Sequence, residues 1–247
     1  MRRSAVVDPG GRGECRRRRQ RPALTVELLI LGVAVLLFVR VHASVGLDVS
    51  VATANARHLQ SLERALHLDV EATANRWLVR RPGLALAAAY FYRLYYLLFV
   101  AVLAWAWLRH PDTYVRARRA LLAMGVIALL VYWAVPMSPP RFSLPGIVDV
   151  VSQHDILAGR EQQAGRAGSY SAMPSLHVGW SAWCAYTVWA ALRPTRPSLA
   201  WTAWVFPALM TVVVIGTGNH YVLDVVGSAL LLTVGFLAAS LPPRWRG

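Results

Sequence analysis

The chain has 247 residues, of which 56% are hydrophobic and 15% charged, with a mean hydropathy of +0.42. A water-soluble domain this apolar would expose more hydrocarbon than it could hide, so the composition selects a membrane protein, and the ten Trp and nine Tyr suit the membrane–water interface. All 26 basic residues are Arg and the net charge is +14, but they cluster at the ends of apolar runs, which excludes a nucleic-acid partner.

Residues 1–22 are polar, Gly-containing and rich in Arg, and are expected to form a disordered cytoplasmic tail. Apolar runs follow at roughly 24–42, 83–108, 119–136, 176–192, 199–216 and 220–241. Each approaches the ~20 residues that cross a bilayer, and the shorter ones call for tilt or partial burial. The first run, with "VHAS" after it, also resembles a signal peptide, though its leader is unusually long for one. The expected architecture is all-α: a polytopic six-span transmembrane bundle forming one membrane-embedded domain over 23–241, with a short cytoplasmic tail at 242–247.

Segment 50–81 mixes charges with apolar residues, and Leu59, Leu62, Leu66 and Val70 recur at helical spacing. It is expected to lie as one or two amphipathic helices on the outer surface, serving as cover. Arginine placement sets the topology. With the tail inside, sixteen Arg fall on that side and eight on the other, while Arg40 and Arg93 lie within runs. Both termini are therefore expected in the cytoplasm, with 137–174 and the 216–220 junction together on the outer face of the plasma membrane.

Three polar stretches lie at span ends on that face, where polar groups are costly and tend to be functional. In "VPMSPPRFS" (135–143) a proline pair precedes Arg141, whose planar fork of donors suits a phosphate or, equally, an interfacial anchor. In "SAMPSLHVGW" (171–180) Pro174 is placed to start a helix, so that Ser175 and His177 occupy a first turn with free backbone N–H groups. Ser175 can hold an anion and His177 can deliver a proton to a leaving oxygen. In "GTGNHYVLDVVGS" (216–228) His220 and Asp224 stand four residues apart. On one helical face the carboxylate would take the Nδ1 proton and leave Nε2 free as a nucleophile. Gly216 and Gly218 are expected to permit the tight turn before them. Together these groups make a set for phosphoryl transfer through a phosphohistidine without a metal. No CxxC or HExxH spacing appears, and Cys15 and Cys184 imply no disulfide framework, so neither metal nor cofactor is expected.

"PSLH" and "GNHYVLD", preceded by "PPR", resemble the three signature motifs of the type 2 phosphatidic acid phosphatase superfamily. "LERALHLDVEATANRW" and "YFYRLYYLLFVAVLAWAWLRHPDTYVRARRAL" resemble its inositolphosphotransferase branch, akin to inositol phosphorylceramide synthases. The resemblance implies a six-span bundle with His220 as nucleophile, Asp224 as its orienter, His177 as proton donor, and Arg141 and Ser175 as phosphate ligands. Its substrate would be a lipid-linked phosphate in contact with membrane lipids.

The chain departs from the superfamily pattern at Ala134, Phe142 and Leu176, where Lys, Pro and Gly are usual, and at Val213 and Val214, where Ser-Arg is usual. Two cationic phosphate ligands are thus missing. Arg93, set among Tyr90, Tyr92, Tyr95 and Tyr96, is the candidate to replace one; the other reading is a structural partner for a carboxylate or carbonyl. The leading expectation is a lipid phosphatase or phosphotransferase. The alternative is a non-catalytic lipid-binding or transport protein whose His–Asp pair is structural. A vanadium haloperoxidase, a soluble relative with similar site chemistry, is disfavoured by the six apolar runs.

Overall fold

A computed structural model describes residues 21–45, 47–154 and 170–241. Most of the expected N-terminal tail, Cys15, Arg160, Arg166 and the tail at 242–247 lie outside the described residues. Within these the chain is helical, with one isolated parallel bridge between Met137 and Ser171 and no strand. The helices in order are α1 (Leu24–His42), α2 (Val49–Ala65), α3 (Glu71–Val79), α4 (Pro82–Arg109), α5 (Pro111–Ala134), α6 (Pro140–Ser143), α7 (Val150–His154), α8 (Leu176–Leu192), α9 (Pro197–Thr202), α10 (Val205–Gly216) and α11 (Val222–Ser240).

Among the described residues five segments are long and apolar enough to cross a membrane: α1, α4, α5, the α9–α10 stretch and α11. Many large hydrophobic side chains on them point outward, as a lipid-facing surface requires. The sixth expected run, α8, is a 17-residue helix at the centre of the bundle, packed on α4, α5, α10 and α11.

The helix starts follow from local chemistry. Pro82, Pro111 and Pro197 each open a helix, where their missing N–H costs nothing. Asp48 caps α2 by accepting from the Ser50 and Val51 N–H groups, both at 3.0 Å. α5 starts at Pro111, so the Arg-containing stretch between the expected runs 83–108 and 119–136 is mostly helix rather than loop. The α9–α10 run breaks at Ala203–Trp204, one turn before Pro207, which has no N–H to offer the Ala203 carbonyl.

α5 packs most extensively against α11. At Gly235 an added Cβ would collide with Met124, so only glycine permits this approach. Trp183 of α8 is fully buried and donates its Nε1–H to the Ala117 carbonyl at 2.8 Å. α1 is anchored through buried Glu27, which accepts from Tyr114 Oη at 2.6 Å and pairs with Arg118. Trp107 donates to the Pro22 carbonyl and Arg116 to Ser240. Thus the start of α1, the end of α4, the start of α5 and the end of α11 gather at one end of the bundle. The three polar stretches gather at the other.

α2 buries Ala52, Ala56, Leu59 and Glu63, whereas Leu62, Leu66 and Val70 are exposed. The buried stripe is therefore rotated from the Leu59–Leu62–Leu66–Val70 face expected from the sequence. Small alanines allow close approach to the loops beneath, and a glutamate takes the place of a core leucine.

Candidate active site

The site is built where four chain segments meet. Pro139 is extended and Pro140 opens α6, which carries Arg141. The Arg141 N–H donates to the Gly218 carbonyl at 2.9 Å, joining α6 to the α10–α11 turn. Met137 N–H donates to the Tyr170 carbonyl (2.7 Å) and Ala172 N–H to the Met137 carbonyl (3.0 Å), fixing the strand-like segment before α8. Ser175 caps α8, which places Pro174 one residue outside the helix rather than in its first turn.

The turn between α10 and α11 uses Gly218 at φ +74°. Gly216, expected to share that task, is the last residue of α10 and needs no unusual φ. His220 also lies outside a helix, because α11 begins at Val222. The expected contact with Asp224 forms by another route. Asp224 occupies the first turn, and its Oδ2 accepts the Tyr221 N–H at 2.9 Å while standing 3.2 Å from His220 Nδ1. The Ala172 carbonyl is nearer still to Nδ1, at 2.9 Å. Two oxygen acceptors converge on Nδ1, so that nitrogen carries the proton and Nε2 keeps its lone pair.

His220 lines a cavity of about 300 Å³ with Arg141, His177, Asn219 and aromatic side chains. The rings of His177 and His220 are 6.0 Å apart. His177 is held by stacking on Tyr92 (3.9 Å) and by the edge of Tyr95 (4.5 Å). Its Nε2 is buried and bonds no protein group among the described residues. Arg141 donates through Nη1 to Asn219 Oδ1, and its Nε is 3.2 Å from Asp149 Oδ2.

The other two expected phosphate ligands are placed differently. Ser175 is fully buried behind the cavity wall; its Oγ accepts the Val178 N–H and its carbonyl accepts from Ser228 Oγ at 2.7 Å. Arg93 follows the cavity residue Tyr92 in α4, half-buried and outside the lining. The cavity also contains residues that sequence reasoning did not assign: Asn219, His42, Tyr132 and Trp180. His42 reaches Ser171 Oγ at 2.9 Å from the end of α1. Among the described residues no three His, Cys, Asp or Glu side chains cluster as a metal site.

The α2–α3 segment is more than cover. Asn55 donates to the Pro136 carbonyl at 2.8 Å. Asn75 is buried and makes three bonds of 2.9 Å, to the Val148 N–H, the Val148 carbonyl and the Gly216 carbonyl. Glu71 Oε1 accepts the Val222 N–H at 3.1 Å and Glu63 Oε1 the Leu223 N–H at 2.8 Å. Burial, followed by the neighbouring Glu71 and Asp224 carboxyls, outweighs that hydrogen bond and pushes Glu63 up to about 8. Burial likewise raises Glu71.

The site thus offers a cationic fork, a helix N-terminus, an imidazole with a free lone pair and a second imidazole opposite it. This is equipment for attack on an anionic ester. No curated protein and no solved structure matches the chain. The sequence profile of the PAP2 superfamily matches residues 57–238.

Proposed function

Because this chain belongs to the PAP2 superfamily, we propose that it is an integral membrane lipid phosphatase or phosphotransferase working through a phosphohistidine at His220. The observation that carries this reading is the pair of oxygens on His220 Nδ1, which leaves Nε2 as the nucleophile facing the cavity. Nε2 attacks phosphorus, and the bond to the leaving oxygen breaks as His177 supplies its proton. Asp224 stabilises the positive ring that forms. Water or an alcohol then attacks the phosphohistidine, giving its proton to His177, and the P–N electrons return to Nε2. Arg141, with Asn219 and Asp149 holding its fork, neutralises the phosphate oxygens.

Within the family we place the chain in the inositolphosphotransferase-like branch, on the resemblance of its 62–77 and 90–121 stretches. We further propose that α8 crosses with the other five spans, that both termini are cytoplasmic, and that the site opens on the outer face of the plasma membrane. Support comes from the arginine bias and the gathering of the three polar stretches at one bundle end.

The test is the purified protein in detergent with a panel of phospholipids and prenyl phosphates, following both free phosphate and headgroup-exchanged lipid. The wild-type chain should turn over at least one of them, and His220→Ala should abolish that turnover. Equal activity in the variant would overturn the mechanism.

A further inference from the structure

The first turn of α11 is held by an unusual set of acceptors. Three successive backbone N–H groups, those of Tyr221, Val222 and Leu223, are taken by Asp224, Glu71 and Glu63 in that order. All three carboxyl groups are buried, at 0%, 1% and 0% exposure. A helix N-terminus carries roughly half a positive charge, which does not balance three buried anions. The Oε2 oxygen of Glu63 makes the problem concrete, since it is buried and receives no donor. The Glu71 carboxyl stands beside it, because the two side chains accept from the adjacent Val222 and Leu223 N–H groups. Two ionised carboxylates repel each other there, whereas one carboxylic acid donating to one carboxylate satisfies both.

We propose that Glu63 and Glu71 are positioning residues for the His220–Asp224 pair, acting as an acid pair that shares one proton and clamps the start of α11 to α2 and α3. The proposal rests on the functional reading above for its link to turnover. The titratable groups facing the pair are Asp224 and Tyr221 from the α11 side, with His220 bonded to Asp224 beyond them. Tyr221 is itself shifted up by burial and adds no charge at neutral pH. With the proton in place, the clamp holds Val222 and Leu223, and so fixes Asp224 at the depth where its Oδ2 reaches Nδ1. When the proton leaves, two adjacent anions face Asp224 across the same helix end, and the clamp loosens.

The sign of the pH effect follows. The folded chain keeps a proton on Glu63 up to about pH 8, while a free Glu releases it near pH 4.5. Between these values the folded state binds more protons than the unfolded one, so stability falls as pH rises across the window. Gln at position 63 imitates the protonated acid, because its amide can donate to Glu71 while its oxygen still accepts the Leu223 N–H.

The experiment compares the full wild-type chain with Glu63→Gln and Glu63→Ala in detergent. Melting temperature is recorded from about pH 6 to about pH 9, with kcat and KM at each pH. Wild type should lose melting temperature toward the alkaline end, and Glu63→Gln should lose clearly less. Glu63→Ala should lower kcat about a hundred-fold with KM little changed, because Arg141 is untouched while the nucleophile shifts. Glu63→Gln should restore most of kcat and flatten its alkaline fall. Parallel melting curves for wild type and Glu63→Gln, or wild-type kcat in Glu63→Ala, would overturn the proposal. If the wild-type chain turns over no lipid phosphate, it is the functional reading that fails. The melting comparison needs no turnover and decides the shared proton by itself.

Discussion

An arginine serves an anion only as well as its fork is held. Arg141 has a flexible stem, and two neighbours fix it: Asn219 at Nη1 and Asp149 at Nε. Asn219 is in turn oriented by donating Nδ2 to Thr217 Oγ1 at 2.8 Å. Asn219→Ala should therefore leave the charge in place but release the fork. We expect kcat/KM for the lipid phosphate to fall about ten-fold, equivalent to ~1.4 kcal/mol, mostly through KM. An unchanged KM would show that Arg141 is held by Asp149 alone. The sequence draws attention to Arg141, His177 and His220, which line the cavity, and to Asp224 beside His220, because polar residue types at the ends of apolar runs are costly. It conceals Asn219, although this residue adjoins His220, because its value depends on a side chain 78 positions away. It also conceals the Ala172 carbonyl, since a backbone acceptor leaves no trace in residue type. Ser175 shows a different ambiguity. A serine before a helix is equally an anion ligand and a cap, and here its Oγ accepts a backbone N–H.

The turn between α10 and α11 decides where His220 points, and Gly218 makes it possible. Its φ of +74° is the left-handed region, and an added Cβ would lie 2.5 Å from Ile147 Cγ2. Gly218→Ala should therefore pay for both backbone strain, about 1–2 kcal/mol, and the clash. Adding Ile147→Ala should recover the clash but not the strain. In thermal melting, Gly218→Ala should be clearly destabilised and the double variant intermediate between it and Ile147→Ala alone. Full recovery in the double variant would mean that the left-handed φ costs nothing here. The helices themselves are legible, because apolar length and proline openings are local signals. The α2 face is not. Helical spacing fits both the Leu62–Leu66–Val70 stripe that faces out and the Ala52–Ala56–Leu59–Glu63 stripe that faces in. The difference lies in the surface beneath, where α11 presents backbone N–H groups that a glutamate can satisfy and a leucine cannot.

Over the whole chain, the alternation of long helices is what brings distant polar stretches together. His42 at the end of α1, Arg141 after α5, His177 at the start of α8 and His220 after α10 line one cavity, although they span nearly 180 residues. α8 is only 17 residues, about 26 Å long, against a hydrocarbon thickness of ~30 Å. A helix surrounded by α4, α5, α10 and α11 meets protein over most of its surface, so it need not match the bilayer. The orientation of the bundle rests on arginine counts and can be read directly. Ser61 is exposed on α2 at the site end, and Thr195 is exposed after α8 at the opposite end. Cys184 is buried, so with Cys15 changed to Ser a cysteine introduced at either position is the accessible thiol. Under the positive-inside arrangement, Ser61→Cys should react with a membrane-impermeant maleimide on intact cells, and Thr195→Cys only after permeabilisation. The reverse pattern would turn the site toward the cytoplasm. Substrate would then come from the inner leaflet, where the arginines near Thr195 were expected to lie.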